Sequence, residues 1–150
     1  MATHSTLRLV LDTNVWLDWL VFDDRDTAPI RNAVGLKRAE IFIDAACEAE
    51  LVRVLGYPFG KKTLRPEEQT AALAQCRRLS SLLNGSLSAE NKSSLPRCRD
   101  PDDQKFLEAA LLANADLLIT KDRALLELVR RKTRSLPFGI VTPEDFALAP

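Results

Sequence analysis

The side chains of this chain best suited to chemistry are four carboxylates: Asp12, Glu50, Asp103 and Asp122. Asp12 closes the run Leu-Val-Leu-Asp-Thr-Asn, and Asp122 closes Leu-Leu-Ile-Thr-Lys-Asp. Glu50 and Asp103 fall in the opening turns of helical segments. Carboxylates gathered at one end of a parallel sheet repel one another unless a hard divalent cation neutralises them. Magnesium or manganese held in that way is the usual machinery of phosphodiester chemistry. Asn14 and Thr120 are short polar side chains able to orient carboxylates or waters, and Asp100 and Asp102 are further candidates beside Asp103. Each acid also has an ordinary explanation. Asp12 could simply cap a helix, one of Asp100, Asp102 and Asp103 must cap the helix after Pro101, and Glu50 could be a solvated charge. Their joint placement is the evidence.

The elements that must position these groups are legible from hydrophobic pattern. Residues 7–11 form a short apolar run suited to a strand buried on both faces. It stops at Asp12-Thr13-Asn14, and an apolar helix over 15–21 follows. Asp26 or Thr27 could cap the next helix, with Pro29 tolerated in its first turn. Residues 41–43 read as the second strand, and Asp44 as the cap of a helix through Leu55 that Gly56 and Pro58 end. Lys61 to Arg65 reads as a basic loop, and a helix opened by Pro66 runs to about Leu83. The Ser-rich stretch 85–94 reads as loop or weak strand. A helix follows Asp100-Pro101-Asp102-Asp103 through Ala113, then a strand over 116–120. A helix over 124–132, a strand over 139–141 and a short terminal helix complete the chain. Strands alternating with helices imply a mostly parallel sheet covered on both faces. In such sheets ligands bind beyond the carboxyl ends of the strands, the edge on which all four acids can converge.

Composition narrows the function classes. The 150 residues suit one domain over 1–150, and 46% hydrophobic with 28% charged residues is ordinary for a soluble globular protein. Lys plus Arg and Asp plus Glu both total 21, so bulk charge points to no partner and weighs against nucleic acid unless the charges are segregated. Cys47, Cys76 and Cys98 show no CxxC spacing, which fits a reducing cytoplasm rather than a disulfide or zinc framework, and the apolar helical patterns around Cys47 and Cys76 suit buried thiols. No apolar run reaches membrane-spanning length. His4 is the one histidine, so an oxygen-rich site selecting Mg2+ or Mn2+ is expected rather than zinc.

The motifs resemble those of the PIN-domain family, within it the branch of toxin components of bacterial toxin–antitoxin pairs. Leu9 to Val15 matches the family's apolar strand followed by Asp-Thr-Asn. Glu50 to Leu55 with Pro58 is similar to its Glu-Leu-x-x-Val-Leu segment. The run from Asp100 to Glu108 is similar to its Asp-Pro-Asp-Asp-x-Lys-Phe-Leu-Glu signature, the most specific of the matches. The runs from Ala115 to Asp122 and from Ile140 to Phe146 resemble its later strand and its usual ending. The resemblance spans nearly the whole chain and implies a three-layer α/β/α sandwich with a mostly parallel sheet of about five strands. It implies metal-dependent cleavage of single-stranded RNA to 5′-phosphate and 3′-hydroxyl ends, and a cognate antitoxin protein as partner. Asp12, Glu50, Asp103 and Asp122 carry over as the metal-binding set, with Asn14 and Thr120 in support. Asp103 suits the following helix better than Asp102. Departures are the bulky Trp16 and Trp19 after Asp-Thr-Asn, and Asp44 where the family often has Ser or Thr.

Other features have competing readings. Lys61, Lys62 and Arg65, and separately Arg130, Arg131, Lys132 and Arg134, could hold RNA phosphates, although cations at a helix end are favoured by its dipole in any case. Trp16 and Trp19 could stack on bases, but packing is their commoner role. Leu107, Ala110, Leu111 and Ala113 offer a core stripe or, less commonly, a homodimer surface. Two further function classes stand beside the nuclease. One is a non-catalytic binding module acting through protein or RNA partners. The other is an aspartyl phosphoacceptor or phosphotransferase using Asp12, for which Lys121 is the sole lysine in a suitable place.

Overall fold

A computed structural model describes residues 6–130 and 136–148 of the chain. Strand β1 (Leu7–Leu11) is followed by α1 (Thr13–Leu20), α2 (Ala28–Gly35) and β2 (Ala39–Ile43). Helix α3 (Ala45–Leu55) leads into a small antiparallel hairpin, β3 (Pro58–Phe59) with β4 (Lys62–Thr63), and then α4 (Pro66–Leu79). Next come β5 (Ser80–Leu82), α5 (Ala89–Ser94), α6 (Gln104–Leu112), β6 (Leu117–Ile119), α7 (Arg123–Arg130), β7 (Gly139–Val141) and α8 (Pro143–Leu148).

The sheet has five strands in the order β5-β2-β1-β6-β7, every pairing parallel. Leu9, Val10 and Leu11 are all buried. Successive strand residues point to opposite faces, so helices must cover both. Around the sheet α3 touches α1, α4 and α6, while α2 packs on α8. This is the α/β/α sandwich expected, with the expected strand number.

The order reverses at β1, whose neighbours on either side are reached by connections running in opposite directions. That is a topological switch point, where crossovers splay apart and leave a crevice at the carboxyl ends. The register matters: Leu11 pairs with Ile119, so Asp12 and Thr120 emerge side by side.

Local expectations are met at several ends. Asp12 caps α1, its Oδ1 accepting the Val15 N–H at 3.0 Å, and Asp44 caps α3 by accepting the Cys47 N–H at 2.8 Å. Asn114 closes the turn after α6 with φ 50°, a left-handed conformation asparagine tolerates. Leu107, Ala110 and Ala113 are buried core residues, as the commoner reading held.

Three expectations need correction. Helix α4 stops at Leu79, not near Leu83, because residues 80–82 leave it to pair with β2. The stretch over 85–94 contains helix α5, capped by Ser88, whose Oγ accepts the Asn91 N–H at 3.1 Å. Before α2, it is Asp24 that caps a 3-10 turn by accepting the Asp26 N–H at 3.0 Å, and Thr27 makes no side-chain cap bond. His4, Arg131, Lys132 and Arg134 lie outside the described residues.

Candidate functional site

Thr120 organises the crevice. Fully buried at the end of β6, it donates its hydroxyl to Asp12 Oδ2 and accepts the Asp122 N–H at 2.9 Å. One hydroxyl therefore ties the acid after β1 to the acid after β6. With one oxygen on Val15 and the other on Thr120, Asp12 is fixed, and it is only 3% exposed. Burial pushes its carboxyl up to about 6, against the lowering effect of those two hydrogen bonds.

Asp103 comes from a 3-10 turn, Pro101–Asp103, capped by Asp100 Oδ1 on the Asp102 N–H at 3.0 Å. With three residues per turn, positions 100 and 103 fall on one side and 102 points elsewhere. Asp100, Asp103 and Asp122 accordingly present carboxylate oxygens all within 4.8 Å of one another, and Asp102 is exposed. Burial first, and then the neighbouring carboxylate of Asp122, raise the Asp103 carboxyl to about 8. Asp103 Oδ2 is buried without a hydrogen-bond partner. None of these acids, nor Asp12, forms an ion pair with Lys or Arg among the described residues. The arrangement is one of accumulated, uncompensated negative charge with an orphaned oxygen. Such a donor set, all hard oxygen, fits Mg2+ or Mn2+.

Glu50 is placed differently. From the second turn of α3 its Oε1 meets Lys105 Nζ at 2.6 Å and lies 3.7 Å from the Arg53 guanidinium, while Thr13 donates to Oε2. The structure thus groups Asp100, Asp103 and Asp122, sets Asp12 against Asp122 through Thr120, and pairs Glu50 with Lys105. Asn14 is exposed on the first turn of α1.

Trp16 and Trp19 are buried and stacked on each other, centroids 5.9 Å apart, so they are packing elements. Arg65 is engaged with Glu67 at 3.4 Å and Glu68 at 3.3 Å at the start of α4. Sequence reasoning did not single out Lys105, or the ion pair of Lys121 with Asp18. The signal for Lys105 was present in the Asp-Asp-Gln-Lys run, but its partner lies 55 residues away.

Asp12 does not have the setting of a phosphoacceptor. It is buried, and both its oxygens are hydrogen-bonded.

Comparison with known proteins bears on the same residues. The family model described as PIN domain matches residues 8–124. A solved structure of VapBC2 from Rickettsia felis, bound to a DNA fragment from their promoter, is similar with a TM-score of 0.62. The match covers 91% of this chain and 98% of that chain at 16% identity, a likeness of fold. No curated protein matches the chain. Among the described residues, no helix is long and apolar enough to cross a membrane.

Proposed function

The chain belongs to the PIN-domain family, and on that premise we propose that it is a divalent-cation-dependent endoribonuclease acting on single-stranded RNA. The observation that carries this reading is the set of Asp100, Asp103 and Asp122 oxygens within 4.8 Å of one another, with Asp12 tied to Asp122 through Thr120 and, among the described residues, no Lys or Arg ion pair to any of them. Asp12, Asp103 and Asp122 would hold Mg2+ or Mn2+, with Asp100 contributing from the solvent side. When bound, such an ion supplies Lewis acidity towards a phosphodiester and an activated water for hydrolysis.

The chain's own residues do the rest. Thr120 and the Val15 N–H fix both oxygens of Asp12, so its approach to a cation is preorganised. The Asp122 backbone N–H fixes the same threonine from the other side. Glu50, paired with Lys105, would be a fifth carboxylate, joining the site by exchanging that partner.

The role as toxin of a toxin–antitoxin pair, with an antitoxin protein as partner, is supported by the motif resemblance from Asp100 to Glu108 and by the fold shared with VapBC2. The test is cleavage of a fluorogenic single-stranded RNA with Mg2+, Mn2+ or EDTA, alongside Asp12→Asn and Asp103→Asn. Cleavage that requires metal and vanishes in both variants supports the reading. Metal binding without turnover assigns a non-catalytic binding module instead.

A further inference from the structure

A cavity of about 300 Å3 has walls that include Asn14, Asp18, Phe22, Tyr57, Phe59 and Lys121, the last directly preceding Asp122 of the acidic cluster. We propose that it is a nucleobase subsite, holding one unpaired base of the nucleic acid whose phosphate reaches the carboxylates. The proposal rests on the nuclease reading above and names how substrate would be gripped there.

Position is the first argument. Lys121 stands in sequence between Thr120, which holds Asp12, and Asp122 of the cluster. Asn14 follows Thr13, which holds Glu50. Two residues of the cavity wall are thus direct chain neighbours of residues that build the acidic site, a placement from which a bound nucleotide would span the two.

The second argument is chemistry. Phe22 is 51% exposed and Tyr57 48%, and both bring that aromatic surface to the same cavity wall. Phe22 and Phe59 meet edge to face, centroids 5.3 Å apart at 89°. That contact restrains both rings and leaves ring surface for a third planar group. Bases stack on aromatic side chains with little regard to identity, which suits an unpaired strand. The volume lies at the small end of organic-ligand pockets, too small for a helix.

The polar groups complete the match. The exposed Asn14 amide carries both donors and an acceptor for a base edge. Lys121 has three N–H donors, of which Asp18 engages one, leaving others for a phosphate oxygen on the side of the cluster. The same cavity wall thus carries aromatic rings and a cation, the two chemistries that a base and its phosphate require.

The experiment uses the full chain and a single-stranded RNA tetramer carrying 2-aminopurine, whose fluorescence falls on stacking. Titrations in Ca2+ compare the wild type with Phe22→Leu, Tyr57→Leu and the conservative Tyr57→Phe, and gels monitor cleavage in Mg2+ or Mn2+. The expected result is quenching in the wild type, binding weakened about tenfold in both leucine variants, and recovery in Tyr57→Phe. The KM for RNA should rise by a similar factor with kcat little changed, which a structural defect would not produce. Equal binding and quenching in the leucine variants, with cleavage intact, overturns the subsite and leaves the nuclease reading standing. Quenching that depends on Phe22 and Tyr57 without any cleavage upholds the subsite and removes the nuclease reading. No RNA binding at all overturns the subsite and leaves the groove to a protein partner.

Discussion

Lys105 Nζ lies 2.6 Å from Glu50 Oε1, and of the four acids Glu50 alone carries ion pairs among the described residues, with Lys105 and Arg53. The Lys105 and Glu50 side chains are mostly buried, at 22% and 14% exposure. The lysine occupies the electrostatic role that a cation would otherwise fill beside that carboxylate.

Lys105→Met should therefore have opposite effects on stability and on cation affinity. The metal-free protein should lose about 1–3 kcal/mol, between the values of exposed and buried pairs. Divalent-cation affinity should tighten several-fold, because the freed Glu50 carboxylate adds negative charge near the site. Denaturant melts with and without Mn2+ read both. Unchanged affinity would mean that Glu50 remains outside the cation site.

The metal-free protein should become less stable as pH rises from about 4 to about 8. Burial raises the Asp12 carboxyl from 3.8 to about 6, and Asp103 is raised to about 8. In that window the folded chain holds protons that the unfolded chain has released, so raising pH favours unfolding. For Asp12 alone the effect is roughly 3 kcal/mol, fully expressed only above its folded value. Asp12→Asn and Asp103→Asn should each flatten the pH slope, and Mg2+ should restore stability near pH 8. A pH slope identical in both variants and wild type would refute the assignment.

Thr120→Val should remove two interactions at once, the hydroxyl to Asp12 and the acceptor for the Asp122 N–H. Leaving those buried groups unpaired costs about 1–3 kcal/mol each. Thr120→Ser keeps the hydroxyl and should retain most stability and cleavage. Should valine and serine behave alike in thermal melts and RNA assays, the hydroxyl is not what ties the two acids together.

Much of this was legible in the sequence, for identifiable reasons. The apolar run of β1 ending at an Asp, and the Asp44 cap of α3, rest on local chemistry that tertiary context did not override. Strand β5 was hidden because Ser80-Ser81 has little strand character and Leu79, Leu82 and Leu83 continue the helical pattern. Only pairing with β2 makes it a strand. The preference for Asp103 over Asp102 rests on its spacing to the following helix, whereas the inclusion of Asp100 depends on the 3-10 turn that aligns 100 with 103. The pairing of Glu50 with Lys105 is a long-range contact between α3 and α6, and local pattern carries no trace of it. Phe22 meets Phe59 across a long stretch of chain, a contact that no local pattern announces.

The central claim is that the carboxylates of the crevice form a cation site, and Mn2+ binding followed by electron paramagnetic resonance tests it most directly. The wild type should bind Mn2+, and Mg2+ should compete. Asp103→Asn and Asp122→Asn should weaken binding by at least roughly tenfold, a loss that even changes outside the ligand shell commonly produce. Exposed Asp102→Asn should leave binding unchanged. Equal Mn2+ binding in all three variants, or no binding in the wild type, would contradict the account.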